Sequence, residues 1–254
     1  MRFASLGSGS RGNAALVEAG TTRLLLDCGF SARETERRLA RLGREPGELD
    51  GILVTHEHRD HIAGVGALAR RYRLPVWMTP GTQRQTAAFG ELPETALFSC
   101  HDPFSVGDLL VEPFPVPHDA REPSQFVFSD GGRRLGVLTD AGRSTPHMAA
   151  LLERCDALLL ECNHDAAMLA EGPYPEPLKA RVAGDHGHLS NAQAAELLAR
   201  LDGSRLQHVV ALHLSEENNR PELARQALAA VLGCDPEWLA VADQEAGLDW
   251  RDVS

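Results

Sequence analysis

The chain has 254 residues, of which 43% are hydrophobic and 24% are charged, and its formal net charge is −11. This length suffices for one sizeable core and the composition is that of an ordinary globular protein, so we expect a single domain over residues 1–254. The negative charge argues against a protein that coats nucleic acid without specificity, but it does not exclude a nuclease. No stretch approaches the ~20 apolar residues of a membrane span, and the first residues lack the apolar core of a signal peptide.

The predicted elements begin with strands over residues 2–6 and 14–27, joined by the glycine-rich turn GSGSRGN at 7–13. Such a turn can present backbone N–H groups to a phosphate, although a simple hairpin connection is the favoured interpretation. Ser31 and Glu34 then form a capping box that predicts a helix to about Leu42. The arginines of this helix are expected to form a solvated face: Arg33, Arg37, Arg38 and Arg41.

Four potential metal ligands follow within the six residues 56–61, HEHRDH. Side chains alternate in an extended segment, so His56 and His58 share one side. Where the chain turns into the next helix, Asp60 and His61 can approach a second point. Imidazoles with a carboxylate suit zinc or a similar divalent ion, and solvated histidines in a polar loop are the weaker interpretation.

Strands and helices alternate through the rest of the chain, which indicates a sheet covered by helices. Strands are predicted over 51–55, 75–78, 97–100, 108–116, 124–130, 134–140, 157–162 and 208–213. Helices are predicted over 62–73, after Pro80, and over 146–154, 190–201 and 220–232.

Three of these apolar strands end at further potential ligands, His118, Asp140 and His213. Each one alone would more often be a capping or core residue. Because a metal site draws ligands from several segments, their joint presence with residues 56–61 favours a metal site.

Five cysteines complete the set of chemically notable residues: Cys28, Cys100, Cys155, Cys162 and Cys234. An odd, scattered set without a C-x-x-C pair is typical of reduced core thiols, and we therefore expect a cytoplasmic protein. The sequence predicts no particular oligomeric state.

The hexapeptide at 56–61 resembles the signature of the metallo-β-lactamase-fold hydrolases. The resemblance implies an α/β fold, a four-layer αββα sandwich with the metal site at the edge between two mixed β-sheets. It also implies two divalent ions, with zinc favoured over manganese, and gives Asp27 a supporting role beside them. The implied ligands are His56, His58, His118 and Asp140 for one ion, and Asp60, His61, Asp140 and His213 for the other.

The segment DHGHLSN at 185–191 is similar to the nuclease branch typified by ribonuclease Z. That resemblance implies that His188 is a general acid and Glu161 its partner, with Asp60 also counted as catalytic. A histidine that merely caps the following helix is the alternative. A pKa near 6.5 suits a histidine to donating a proton near neutral pH.

Segments across nearly the whole chain resemble the YycJ/WalJ branch, which is associated with exonuclease action on DNA. They include residues 3–13, 161–165, 172–191 and 213–219. Only 26 residues separate Glu161 from His188, which leaves no room for the inserted domain of the β-CASP nucleases.

The resemblance predicts a dinuclear metal phosphodiesterase, most specifically a nuclease acting on DNA through a hydroxide that bridges the ions. The alternative is a hydrolase of a small ester, thioester, lactone or cyclic phosphodiester on the same metals. The related di-iron oxygen reductases place a carboxylate where this chain has His58, which argues against a redox role. A binding protein with a vestigial site ranks last, because every expected ligand is present.

Overall fold

A computed structural model gives the fold and describes residues 1–85 and 89–254. The strands are β1 (Arg2–Gly7), β2 (Ala14–Ala19), β3 (Thr22–Leu26), β4 (Gly51–Leu53), β5 (Val76–Met78), β6 (Thr95–Leu97), β7 (Phe104–Val106), β8 (Leu109–Pro115), β9 (Ser124–Ser129), β10 (Arg134–Leu138), β11 (Ala157–Glu161), β12 (His208–Leu212), β13 (Ala240–Val241) and β14 (Leu248–Asp252). The helices are α1 (Ala32–Arg41), α2 (Arg59–Ile62), α3 (Val65–Tyr72), α4 (Pro80–Gln85), α5 (Pro146–Leu152), α6 (Ala166–Glu171), α7 (Glu176–Val182), α8 (Asn191–Leu198) and α9 (Pro221–Leu232).

The strands form two seven-stranded sheets, ordered β14-β1-β2-β3-β4-β5-β6 and β13-β12-β11-β10-β9-β8-β7. Each sheet combines antiparallel hairpins with parallel strands. In the first sheet β1, β2 and β3 are antiparallel neighbours, whereas β3, β4, β5 and β6 run parallel. In the second sheet β7 to β10 are antiparallel neighbours, whereas β10 to β13 run parallel. The parallel half of each sheet therefore carries the helical connections.

Alternation along the strands explains why the two sheets pack face to face. In β3, Leu24 and Leu26 join a core shared by both sheets, whereas Leu25 packs with the helices on the outer face. In β11, Leu159 points into the shared core, and its neighbours Leu158 and Leu160 pack under the outer helices. Strands covered on both faces read as continuous apolar runs. The predicted αββα layer order is confirmed.

Helix α1 begins where the capping residues predict, since the Ser31 side chain accepts a hydrogen bond from the Glu34 backbone N–H. The expectation of a wholly solvated arginine face is wrong for Arg38, which is buried. Its guanidinium donates to the carbonyl oxygens of Leu6 and Gln244 at 2.8 Å each. The helical period explains this, because Arg38 lies three residues after buried Thr35 on the inward stripe.

Other differences lie at element ends and in short elements. The predicted helix over 62–73 corresponds to α3, and the short helix α2 precedes it and ends at Ile62. Gly64 lies between the two helices, where a Cβ would collide with the Phe30 carbonyl oxygen. The strand expected over 97–100 is β6, which ends at Leu97. Helix α4 begins at Pro80, and residues 86–88 lie outside the described part of the chain. Helices α6 and α7 and strands β7, β13 and β14 have no counterpart in the sequence prediction.

The cysteines are free thiols, of which all but the half-buried Cys234 are buried. Among the residues that the structure describes, no helix combines the length and the apolar character needed to cross a bilayer.

Candidate metal centre

The candidate site lies at one edge of the sandwich, where parallel strands from both sheets end. Asp27 follows β3, Asp140 comes two residues after β10, Glu161 ends β11 and His213 follows β12. Asp27, Asp140 and His213 have positive φ angles of 58°, 51° and 51°. Left-handed backbone is uncommon for residues other than glycine, and such residues cluster at functional sites. The chain thus turns sharply after each of these three strands and presents a polar side chain at the same edge.

The first group of potential ligands contains His56, His58 and His118, whose ligand atoms lie within 4.8 Å of one another. His118 Nε2 lies 3.1 Å from His58 Nδ1, and His118 Nδ1 lies 2.9 Å from the Gly187 carbonyl oxygen. Burial lowers the pKa of His56 well below its usual value and also lowers the pKa of His118. These rings are therefore held as neutral imidazoles, the form that binds metals.

The second group contains Asp60, His61 and His213, again within 4.8 Å. Asp140 joins the two groups, since its Oδ2 lies 3.0 Å from both His61 Nε2 and His213 Nδ1. Its Oδ1 lies 3.9 Å from His118 Nε2. Burial opposes ionisation of Asp140, but His213 and His61 hold the pKa of its carboxyl well below the usual value. Asp140 is therefore an anion with one oxygen toward each group.

The donor set fits divalent ions. Buried His56 Nε2 has no hydrogen-bond partner in the described parts of the chain, and an unsatisfied buried polar atom is costly. Burial opposes a charge on His61, but Asp140, Asp60 and Asp27 raise its pKa well above the usual value. The site thus attracts positive charge at the point where imidazole nitrogens and carboxylate oxygens converge. Metal ions bound there would supply that charge and satisfy His56.

A third pair of side chains lies directly beside these groups. His188 Nδ1 is 2.8 Å from Glu161 Oε1 and 3.4 Å from Asp140 Oδ1. The other oxygen of fully buried Glu161 accepts hydrogen bonds from the backbone N–H groups of Ala141 and Leu189, at 2.9 and 3.1 Å. Burial disfavours the imidazolium, but Glu161, Asp140 and Asp60 together outweigh it and raise the pKa of His188 to about 9. The Glu161 carboxylate therefore holds Nδ1 of the His188 ring and does not contact Nε2.

These side chains open into a cleft of ≈ 310 Å³, called the metal cleft here. It is lined by His58, Asp60, Asp140, Leu178, His188 and His213, among others. Helix α7 contributes Leu178 although none of its residues is buried. All nine residues predicted as ligands or catalytic groups thus lie in or directly beside this one cleft.

The comparisons with known proteins agree with this geometry. The beta-lactamase superfamily domain matches residues 22–213, a stretch that contains every candidate ligand. The chain belongs to the metallo-β-lactamase superfamily.

Two curated relatives place this metallo-β-lactamase chain more narrowly. It is 38% identical to the exodeoxyribonuclease YycJ of Bacillus anthracis over 91% of this chain and 89% of that protein. It is 36% identical to the exodeoxyribonuclease WalJ of Streptococcus pneumoniae over 98% of this chain and 92% of that protein. The solved structure of the metallo-β-lactamase-fold protein YhfI from Bacillus subtilis superposes with a TM-score of 0.77 at 17% identity, covering 98% of each chain. The predicted family, branch and fold are confirmed.

Sequence reasoning missed one structural contribution to this metallo-β-lactamase site. The glycine-rich turn does connect a hairpin, but its Asn13 Nδ2 also lies 3.2 Å from Asp60 Oδ2. The Asn13 side-chain oxygen accepts from the Gly9 backbone N–H at 2.9 Å, and Ser8 Oγ accepts from the His213 backbone N–H at the same distance. The turn therefore orients groups of the second ligand cluster. Its polar residues were visible in the sequence, but no spacing relates them to residues 56–61.

Asp27 orients the His61 ring through Nδ1, the nitrogen that does not face Asp140. Its Oδ2 lies 2.7 Å from His61 Nδ1 and accepts from Thr55 Oγ1 at 2.8 Å, while its Oδ1 accepts from the Thr55 backbone N–H at 2.8 Å. A carboxylate on the far nitrogen fixes the tautomer and direction of a ligating imidazole.

We expect Asp27→Asn to weaken metal binding about 10- to 100-fold, because the amide no longer fixes the His61 ring. The measurement is the metal content of the protein against chelators of graded affinity, with circular dichroism to check folding. Asp50→Asn is the control, since Asp50 contacts the Arg23 backbone N–H far from the cleft. Equal metal affinity of the Asp27 variant and the wild type would contradict the orienting role.

Proposed function

We propose that the protein is a metal-dependent phosphodiesterase that degrades DNA as an exonuclease. One observation carries the proposal: His188, fixed by buried Glu161, lies beside the carboxylate that joins the two ligand groups. A proton donor at this place is what cleavage of an unactivated phosphodiester requires, because its leaving alkoxide is a strong base. The names and the extensive alignment of YycJ and WalJ support nuclease action on DNA.

The proposed ligands of the first ion are His56, His58, His118 and Asp140, and those of the second are Asp60, His61, Asp140 and His213. When bound, the two ions would lower the pKa of a water molecule and stabilise the charge that builds on phosphoryl oxygens. Five imidazoles favour zinc, with manganese as the alternative that the carboxylates allow.

The protein's own residues orient the substrate bond and move its protons. His188 Nε2 gives its proton to the departing oxygen. The Glu161 carboxylate meanwhile accepts a hydrogen bond from Nδ1–H and so holds the ring in its orientation. Asp60, with Oδ2 at 3.4 Å from His61 Nε2 and 3.7 Å from His213 Nε2, accepts a hydrogen bond from the attacking water, whose proton leaves to the solvent through the open cleft. Asn13 holds that carboxylate in place. Glu161 is fully buried, whereas its partner His188 lines the metal cleft, where a substrate can reach it.

The test is a substrate panel with protein loaded with either zinc or manganese. End-labelled single- and double-stranded DNA and RNA are compared with bis(4-nitrophenyl) phosphate, a thioester and a lactone. We expect stepwise shortening of DNA that stops when the metals are removed by a chelator and returns when they are restored. Fast turnover of the thioester or lactone without any cleavage of DNA would overturn the proposal in favour of a small-molecule hydrolase.

A further inference from the structure

A second cleft adjoins the metal cleft, and neither His188 nor Glu161 lines it. This side cleft, of ≈ 620 Å³, is lined by Ser10, Arg11, Phe30, Ser31, Glu34 and Arg59, among others. Three residues line both clefts, Ser10, Arg59 and the proposed ligand Asp60. A chain bound in the metal cleft can therefore continue past Asp60 into the side cleft.

The charges of the side cleft are already paired, with one exception. Arg11 is held by Glu216 at 2.6 Å and Glu245 at 2.8 Å. Glu34 accepts from both Arg37 and Arg38 at 2.6 Å. Arg59 is exposed, and within residues 1–85 and 89–254 its side chain has no hydrogen bond or ion pair. It is thus a guanidinium available to an anion at the junction of the two clefts.

The backbone holds Arg59 rigidly in this place. It is the first residue of α2, between His58 and Asp60, and the His61 backbone N–H donates to the His58 carbonyl oxygen at 2.9 Å. The Arg59 side chain is exposed and lines both clefts, between the proposed ligands His58 and Asp60. Ser10 is also exposed, and its hydroxyl has no hydrogen bond within the same described ranges. The two side chains offer donors and no acceptor charge of their own.

The side cleft suits a sugar–phosphate backbone better than a base. The aromatic ring of Phe30 is largely buried, and the Arg38 guanidinium already lies over it at 4.0 Å. It therefore offers little free face for stacking, which is the usual way to hold an unpaired base. Arginine and hydroxyl donors instead match phosphate oxygens.

We infer that the side cleft binds the polynucleotide next to the bond that is cleaved, with Arg59 and Ser10 holding the adjacent phosphate. The inference rests on the proposed function and names a binding subsite for it. Contacts to phosphate position the chain without reading its sequence, so the subsite lets the enzyme shorten strands of any sequence.

The test measures binding, so that it is independent of cleavage. Zinc-loaded protein is titrated with fluorescein-labelled, hydrolysis-resistant phosphorothioate oligothymidylates of two to eight nucleotides, followed by fluorescence anisotropy. For the longer oligomers Arg59→Ala weakens binding about tenfold and makes the slope of log Kd against log salt shallower by about 0.7. Arg59→Glu weakens it further, and Arg59→Lys restores most of it. Bis(4-nitrophenyl) phosphate has no phosphate beyond the one that is attacked, so its hydrolysis falls far less in the three variants than the binding of the longer oligomers.

The control is Arg251→Ala, which removes an exposed arginine from β14 opposite Phe3, at the far end of β1. Equal binding of long oligomers by wild type, Arg59→Ala and Arg59→Glu would overturn the subsite and leave the proposed function standing. A loss of the same size with bis(4-nitrophenyl) phosphate would also overturn it, because Arg59 would then act on the phosphate that is attacked and not on the adjacent one. Failure of the wild type to bind or cleave any oligonucleotide, with the small diester still hydrolysed, would overturn both.

Discussion

Replacing His188 by Ala is expected to lower kcat for DNA cleavage by about 10²- to 10⁴-fold, the usual contribution of a positioned proton donor. The structure supplies the reason, because Glu161 Oε1 at 2.8 Å holds Nδ1 and leaves Nε2 for the leaving oxygen. KM should change little, since the proton is transferred only as the bond breaks. Single-turnover cleavage of end-labelled DNA measures the chemical step directly.

A good leaving group separates proton donation from a general loss of structure. 4-Nitrophenolate needs no protonation, so hydrolysis of bis(4-nitrophenyl) phosphate by the His188 variant should fall far less than DNA cleavage. His101→Ala is the matched control, because the His101 side chain is exposed and lies outside the metal cleft. Undiminished DNA cleavage by the His188 variant, or equal losses on both substrates, would refute the assigned role.

Asp140→Asn is expected to cost at least about a thousand-fold in activity, since losing several kcal/mol of charge stabilisation at a metal site corresponds to this factor. The carboxylate has one oxygen 3.0 Å from nitrogens of His61 and His213 and the other 3.9 Å from His118 Nε2. Asparagine keeps the volume but offers a single neutral oxygen acceptor. We therefore expect fewer bound ions per chain as well as lower activity.

Metal analysis by mass spectrometry, beside the activity assay, distinguishes loss of ions from loss of chemistry. Asp102→Asn serves as control, because Asp102 is exposed and does not line the metal cleft. A folded Asp140 variant that retains two ions and full activity would show that this carboxylate does not join the ligand groups. A thermal melt of the metal-free proteins would report any separate effect on folding.

Sequence reasoning singled out His56, His118, Asp140 and His213 because each of them follows an apolar run. Asp140 and His213 come within two residues of the ends of buried strands whose β-character is evident, and parallel strands bring such ends to one edge of a sheet. Asn13 and Ser8 escaped prediction because they act through a turn whose distance from Asp60 is set only by the fold. A local pattern carries no information about that distance.

Two of the elements that were missed, α7 and β14, lack the periodic burial from which elements are inferred. Helix α7 has no buried residue, so no apolar stripe marks it in the sequence. Strand β14 is mostly exposed and depends on pairing with β1, with Asp252 opposite Arg2. The arginines also show what the sequence alone cannot predict. Residue type alone did not separate buried Arg38, which holds carbonyl groups, from exposed Arg59.

The left-handed backbone at Asp27, Asp140 and His213 means that these positions lower the stability of the fold in order to place functional side chains. Glycine would adopt these angles without the penalty of roughly 1 kcal/mol that a side chain incurs. Selection for heat resistance alone would therefore favour glycine wherever the hydrogen bonds of the side chain contribute less than this penalty, at the expense of the reactive centre. Any thermostable derivative should be selected with these three positions held fixed, and its added stability sought in the helical layers instead.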